Sequence, residues 1–257
     1  MGDVMILVAL RFLMLAALAA QAQPSAQVLE VQNKTDSLQV VQCWMLDNQQ
    51  KVRMVILNNS SKSICETIIS FGNFTRSDSF WALGDPLRPG QSVTIDHHTR
   101  GGPPPRIVIK AIMFDDGSGE GDAVALSNSI QYQRGYLQEV GRVYDLVNSF
   151  IKDLGSDPKP ELLKHITILR HDLEVAESAP LGGIPDSEFW LYSGRSDARQ
   201  RLAAGLHSVE ARILQLIDTG SPELGKRASH YLYGYTEGLL RMRSRLSIQT
   251  GGSFPIK

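Results

Sequence analysis

The sequence predicts an α+β fold, in which an N-terminal antiparallel β-sandwich is followed by a C-terminal antiparallel α-helical bundle. Two observations support this prediction. From Gln27 to about Glu120, short runs of β-branched and aromatic residues alternate with turn-forming Asn, Asp, Gly and Pro. From Asp122 onward, apolar residues recur at steps of three and four, which places them on one helical face. We therefore expect a sandwich domain at 27–121, a helical domain at 122–248 and a tail at 249–257.

The first 22 residues are typical of a secretory signal peptide. Arg11 precedes an apolar stretch, and small residues occupy both outer positions of Ala20-Gln21-Ala22. A retained membrane anchor is the alternative, but it would place Arg11 in the middle of the span. We expect cleavage after Ala22, no transmembrane segment in the mature chain, and a secreted or periplasmic location.

The composition excludes several classes of protein. The chain is 42% hydrophobic, which is too apolar for a disordered polymer, and its 26 basic and 27 acidic side chains nearly cancel. This balance gives no reason to expect nucleic acid as a partner. The charge is nevertheless uneven, because residues 122–194 are acidic and residues 195–248 are basic. We expect these two blocks to pack together. The alternative is a basic helical face, including Arg241, Arg243 and Arg245, that binds an anionic partner.

Six runs in the N-terminal half are predicted strands, and no helical pattern interrupts them. They lie at 27–31, 38–46, 51–57, 64–71, 92–95 and 106–114. The segment around Pro89-Gly90 is typical of a tight turn, since Pro fixes its own φ and Gly accepts a positive one. Six or seven strands at this spacing favour antiparallel pairing in an immunoglobulin-like sandwich.

Four asparagines in this half begin glycosylation sequons: Asn33, Asn58, Asn59 and Asn73. A sequon has consequences only in a host with the glycosylation pathway. We interpret these positions as turn-forming Asn, Ser and Thr clusters.

The C-terminal half contains four apolar sets with helical spacing, at 126–154, 162–176, 202–216 and 224–246. The segments GSDPKP and SAPLGGIPDS contain proline and glycine where helices end. Short connections favour antiparallel neighbours, which predicts a four-segment bundle. We expect Asp122 to cap the first helix through its side-chain oxygen.

Three segments of the strand half resemble a group of uncharacterised bacterial exported proteins with an immunoglobulin-like or fibronectin-like sandwich. These segments are VILNNSSKSI (55–64), PLRPGQSVTI (86–95) and IKAIMFDDGSGEGD (109–122). The resemblance covers about residues 27–150. It implies export and the sandwich fold, and it assigns no catalytic residue and no ligand.

The loop at 115–122 contains four carboxylates among flexible glycines: Asp115, Asp116, Glu120 and Asp122. Calcium prefers several oxygen ligands from such a loop, which makes these residues candidate calcium ligands. The spacing departs from the twelve-residue calcium loop, and a polar connection between strand and helix accounts for the same residues. We favour the connection and expect no metal and no cofactor.

The chain has two cysteines, Cys43 and Cys65. Because the chain is predicted to be exported, a disulfide between them is permitted. The predicted strand at 51–57 lies between theirs, and a simple meander would place them too far apart to bridge. A bond requires the strand at 64–71 to cross to the other sheet or pass an edge. Both outcomes stay open, and we favour two buried thiols.

Phe189, Trp190 and Tyr192 form an aromatic cluster in the predicted loop SEFWLYSG. Exposed rings at such a place bind sugars or a protein partner, whereas buried rings plug the end of a bundle. The sugar-binding hypothesis requires rings that are exposed and roughly coplanar. We favour a packing role and retain the three residues as ligand-binding candidates.

No local signature of catalysis is present in the sequence. It contains no G-x-S-x-G elbow, no H-E-x-x-H helix and no phosphate-binding glycine loop. His97 and His98 follow Asp96 at a predicted strand end, and we interpret them as an exposed loop pair. We therefore predict an exported, non-catalytic protein that recognises a partner or a cell-envelope component. The alternatives are a secreted hydrolase with a site near 96–98 and 115–122, and a carbohydrate-binding module.

Overall fold

The chain is an α+β protein, with an antiparallel-rich β-sheet region followed by four helices. A computed structural model describes residues 27–46, 50–79, 85–99, 105–153, 159–177, 185, 187–220 and 223–251. The predicted signal peptide and most of the predicted tail lie outside these residues. Contacts divide the chain into two compact units between Ile112 and Met113, inside the last long strand and shortly before the predicted boundary.

The strands of the described residues form two sheets. Their bounds are β1 Gln27–Val28, β2 Val31–Asn33, β3 Leu38–Leu46, β4 Lys51–Asn58, β5 Ile64–Phe71, β6 Phe74–Ser79, β7 Ser92–His98, β8 Ile107–Phe114 and β9 Gly119–Gly121. One sheet has the order β1-β3-β4-β7, and each of its pairs is antiparallel. The other has the order β2-β8-β5-β6, with β9 beside β8.

Three local features differ from the sequence prediction. The predicted strand 27–31 is two short strands in different sheets, and β2 pairs with β8 in parallel. A parallel pair needs a long connection, and five other strands separate β2 from β8. His97 and His98 lie within β7 rather than in a loop, because their backbones continue the ladder with β4.

The burial pattern differs between the two sheets, as β4 and β5 illustrate. In β4, Val52, Met54 and Ile56 are buried and alternate with half-buried residues, as expected for a strand with one covered face. In β5 every residue is buried, including the polar Glu66 and Thr67. This strand lies between β8 and β6, so both of its edges are hydrogen-bonded to neighbouring strands.

The four helices are α1 Ala123–Asp153, α2 Lys159–Glu177, α3 Phe189–Asp218 and α4 Leu224–Gln249. The predicted cap of α1 is confirmed, since Asp122 Oδ1 accepts hydrogen bonds from the backbone N–H groups of Val124 (3.0 Å) and Ala125 (3.1 Å). α1 packs against α3 and α4, and α3 also contacts α2. None of the helices in the described part of the chain combines the length and the apolar character needed to cross a membrane.

The helices enclose one apolar core. Its aliphatic members come from all four helices, among them Val140, Val147, Leu169, Leu206 and Leu232. The apolar set predicted for α3 is buried throughout. On α4, Leu232 and Thr236 are buried, and Tyr231 and Tyr235 of the apolar set predicted at 224–246 pack half-buried against the same core. The buried face is wide because α4 packs against both α1 and α3.

Candidate functional site

Helices α1 and α3 cross in direct backbone contact at two glycines. A Cβ atom added at Gly135 would lie 1.9 Å from the backbone oxygen of Leu191, and one at Gly194 would lie 1.9 Å from that of Tyr132. Only residues without a Cβ allow this approach. The crossing therefore determines which side chains on the following turns face each other.

A buried carboxylate lies one turn beyond this crossing, and three arginines surround it. Glu139 Oε1 accepts hydrogen bonds from Arg195 Nε (3.1 Å) and Arg199 Nη2 (2.9 Å), both on α3. Glu139 Oε2 accepts a hydrogen bond from Arg142 Nε (2.9 Å), on α1. We call Glu139, Arg142, Arg195 and Arg199 the arginine cluster.

The arginine cluster has an excess of positive charge. Burial alone would raise the pKa of Glu139, but the hydrogen bonds from Arg199 and Arg142 outweigh it, and the pKa is lowered. Glu139 is therefore ionised, and one negative charge faces three positive ones. The side chain of Glu139 is 2% exposed, whereas those of Arg142, Arg195 and Arg199 are 38%, 32% and 17% exposed. The excess charge thus faces solvent while the carboxylate lies beneath it.

Aromatic side chains extend this surface toward the start of α3. The Arg195 guanidinium lies 5.8 Å from the centre of the Tyr192 ring, in cation–π contact. Phe189 and Tyr192 are exposed and Trp190 is half-buried. The rings of Phe189 and Trp190 stand at 84° to each other, so these two form no flat platform for a sugar. The segment predicted as a loop is helical from Phe189, because Gly194 serves the helix crossing rather than a turn.

A second polar network joins the same two helices. Tyr132 donates a hydrogen bond of 2.5 Å to Asp197 Oδ2, and Arg201 Nε contacts the same oxygen at 3.1 Å. Burial, followed by the hydrogen bond to Asp197, raises the pKa of Tyr132. The phenol is therefore neutral, and it holds the two helices in register beside the arginine cluster.

Two carboxylates of the candidate calcium loop accept hydrogen bonds from nearby backbone N–H groups. Asp116 Oδ1 accepts hydrogen bonds from the backbone N–H and the hydroxyl of Ser118, and Asp122 caps α1. Glu120 lies in β9, and Asp115 is half-buried in the turn before it. Within the described residues, no group of three His, Cys, Asp or Glu side chains is placed to hold a metal ion. The expectation that this loop is a polar connection rather than a calcium site stays a prediction.

The residues near 96–98 contribute to packing and ion pairs within the sheet region. Asp96 accepts hydrogen bonds from Arg53 Nε (2.7 Å) and Nη2 (2.9 Å), and Lys51 Nζ lies 2.8 Å away. The Arg53 hydrogen bond is the main reason why the pKa of Asp96 is lowered. The His97 ring stacks on Phe71 at 4.0 Å and 11°. A hydrolase site that uses Asp96 would have to compete with these two cations.

Cys43 and Cys65 are both buried and carry thiols rather than a disulfide. Cys43 lies in β3 and Cys65 in β5, which belong to different sheets. The strand at 64–71 has therefore crossed to the other sheet, as the disulfide hypothesis required, without a bond forming in the structure. Burial raises the pKa of the Cys43 thiol to about 11.

An open groove of about 710 Å³ lies at the start of α4. The side chains of Lys226, His230 and Tyr233 that line it are exposed, and Arg212 lies 5.5 Å from the centre of the Tyr231 ring. Cationic, acidic and aromatic groups all contribute to its wall. The groove thus has mostly exposed walls, whereas the arginine cluster is built on a buried carboxylate.

The residues of the arginine cluster were not candidates from the sequence. Two signals were present: Arg195 and Arg199 stand four apart on one helical face, and the acidic and basic blocks complement each other. The pairing of Glu139 with Arg195 and Arg199 agrees with the predicted packing of those blocks. Compared with protein-family models, with curated proteins and with solved structures, the chain matches nothing.

Proposed function

We propose that this chain is an exported, non-catalytic protein that recognises an anionic partner or cell-envelope component through the arginine cluster. The observation that supports the proposal is a pair of partly exposed arginines, Arg142 and Arg195, held together by a buried carboxylate. Preorganised arginines of this kind lose little side-chain freedom when a ligand binds. Export rests on the N-terminal sequence pattern.

The proposal includes a finer description of the architecture. The two sheets form an immunoglobulin-like sandwich, and the four helices form an antiparallel bundle. The stacking of His97 from β7 on Phe71 from β5 supports the sandwich, because it joins the two sheets by their side chains. The common apolar core supports the bundle.

The chemistry of the arginine cluster favours binding over catalysis. A general acid must hold a proton near neutral pH, and the pKa of Glu139 is shifted in the opposite direction. A general base must reach its substrate, and both oxygens of Glu139 already accept hydrogen bonds from arginine. The neutral Tyr132 donates a hydrogen bond to Asp197 and keeps its proton. These groups suit the recognition of charge.

Co-sedimentation with the envelope fraction of the producing organism tests the proposal. We expect the wild-type chain to bind this fraction, and the double variant Arg142→Gln/Arg195→Gln to bind at least tenfold more weakly. Arg241→Gln is the matched control, because Arg241 is an exposed arginine on α4 that lies 3.9 Å from Glu237 and outside the cluster. Equal binding by wild type and double variant would contradict the proposal. A hydrolytic activity abolished by a single Asp, His or Ser substitution would also overturn it.

A further inference from the structure

Arg142 and Arg195 use the same atom to hold Glu139, which leaves the ends of both guanidinium groups for another acceptor. Each contacts the carboxylate through Nε, at 2.9 Å and 3.1 Å. Among the described residues, the Nη atoms of these two arginines make no hydrogen bond. Because both side chains are about one-third exposed, their Nη–H donors are accessible from solvent.

The charge of the arginine cluster favours an anionic ligand. Three guanidinium groups contact one carboxylate, so positive charge predominates within the cluster. A dianion brings twice the charge of a single carboxylate to these donors and therefore interacts more strongly with them. Arginine N–H groups also match phosphate oxygens in spacing and direction, and several can contact one tetrahedral group.

Glu139 has a defined part in this arrangement. Without a carboxylate between them, the three guanidinium groups would repel each other and spread apart. Glu139 holds them at hydrogen-bond distance from one point, and its own oxygens are occupied by those bonds. An incoming anion therefore meets the outer ends of the guanidinium groups and not the carboxylate.

We infer that the arginine cluster is a binding site for a phosphate dianion, either inorganic phosphate or the phosphate of a monoester. Arg142 and Arg195 donate to the phosphate oxygens, and Arg199 with Glu139 forms the floor. This inference names the ligand chemistry of the same site and therefore rests on the proposed function.

Calorimetric titration of the purified protein tests this inference, at constant ionic strength set with sodium chloride. The probes are inorganic phosphate and glucose 1-phosphate, with glucose and acetate as controls. We expect saturable binding of at least one phosphate probe at pH 7.5, and at least tenfold weaker binding at pH 5.0, where phosphate is a monoanion. Tighter binding of glucose 1-phosphate identifies an ester as the source, and tighter binding of inorganic phosphate identifies the free ion.

Variants connect the titration to the proposed residues. Arg142→Gln and Arg195→Gln should each weaken phosphate binding at least fivefold, and Arg241→Gln should leave it unchanged. Arg142→Lys keeps the positive charge. If this variant loses phosphate binding as Arg142→Gln does, the geometry of the guanidinium group, and not its charge alone, is required for binding. Circular dichroism melting identifies any variant that fails to fold, and Arg142, the most exposed of the three, provides the safest substitution. Unchanged binding in the folded Arg142→Gln and Arg195→Gln variants, or absence of saturable binding in wild type, would overturn the inference.

The two proposals fail in different ways. If envelope co-sedimentation depends on Arg142 and Arg195 while no phosphate probe binds, the phosphate inference is wrong and the proposed function stands. If phosphate binds at the arginines while the envelope fraction does not, the site is correct and the proposed function is wrong.

Discussion

Asn58 lies buried at the end of β4, where its side chain connects two turns. Its Nδ2 donates to the backbone oxygens of Lys62 and Leu87, both at 2.8 Å, and its Oδ1 accepts from the backbone N–H and the hydroxyl of Ser60. Asn33 makes the same kind of turn, accepting from Thr35 through Oδ1. Both sequon asparagines thus act as turn residues, in agreement with the sequence interpretation.

Replacing Asn58 tests this role. Asn58→Ala leaves the buried oxygen of Leu87 without this donor and removes the acceptor of Ser60, so we expect a loss of about 2 kcal/mol in the free energy of unfolding. Asn59→Ala, at the exposed neighbouring position, should change it by less than about 0.5 kcal/mol. Urea denaturation of both variants measures the difference. Equal effects would show that the side-chain bonds of Asn58 contribute little.

Asp96 gives the sheet region a defined dependence on pH. Its pKa is lower in the folded chain than in the unfolded one, where a value of about 3.9 is normal. The stabilisation by the ion pairs of Asp96 is therefore complete above a pH of about 4 to 5. It is lost as the pH falls toward the pKa that Asp96 has in the folded chain. We expect Asp96→Asn to cost about 1 kcal/mol or less at pH 7, since the pair is partly exposed, and progressively less at lower pH. Urea denaturation at several pH values checks this, and a constant cost would refute it.

At the scale of elements, the sequence predicted best where an element has its own run or stripe of apolar residues. The predicted bounds of β3 and β5 match the structure, and the apolar set of α3 is buried as expected. The strands β6 and β9 have polar sequences, FTRSDS and GEG, and their pairing depends on a neighbouring strand rather than on their own pattern. The buried face of α4 depends on two neighbouring helices, which its sequence does not specify.

The sequence patterns also did not predict the close crossing of α1 and α3 at two glycines. This crossing can be tested with alanine variants that are expected to change the free energy of unfolding in opposite directions. In Gly135→Ala and Gly194→Ala the new methyl group would meet a backbone oxygen at 1.9 Å, which no rotamer change relieves. We expect each variant to lose at least about 2 kcal/mol in the free energy of unfolding. Gly141→Ala on the same helix meets nothing within 4 Å and should gain about 0.5 to 1 kcal/mol.

The helical circular dichroism signal, followed through urea denaturation, measures all three glycine variants. Gly141→Ala controls for the general preference of helices for alanine. If all three variants shifted in the same direction, close packing at the crossing would not account for the two glycines.

At the scale of the whole molecule, the arginine cluster depends on residues far apart in the sequence. Glu139 belongs to the acidic block and Arg195 and Arg199 to the basic one, so the block charges indicated that the helices pair. The block charges did not indicate at which residues the two helices meet. Gly135 and Gly194 determine this register, because each allows the backbone of the other helix to approach closely. A single sequence does not distinguish glycines that pack in this way from glycines that end helices.

The two cysteines offer a measurement on the entire chain, because β3 and β5 belong to different sheets and both thiols are buried. Burial raises the pKa of Cys43 from 9.0 to about 11, so its thiol is protonated and slow to react at pH 8. We expect a thiol reagent to label neither cysteine in the native protein and both in urea without reductant. A disulfide between Cys43 and Cys65 would instead give labelling in urea only after reduction.

The buried Cys43 thiol also makes the stability of the chain depend on alkaline pH. Because the pKa of Cys43 is higher in the folded chain than in the unfolded one, the stabilisation is complete below a pH of about 8.5 and is lost as the pH rises toward 11. Cys43→Ser should remove this alkaline loss, whereas an unchanged alkaline profile in that variant would assign the loss to another group.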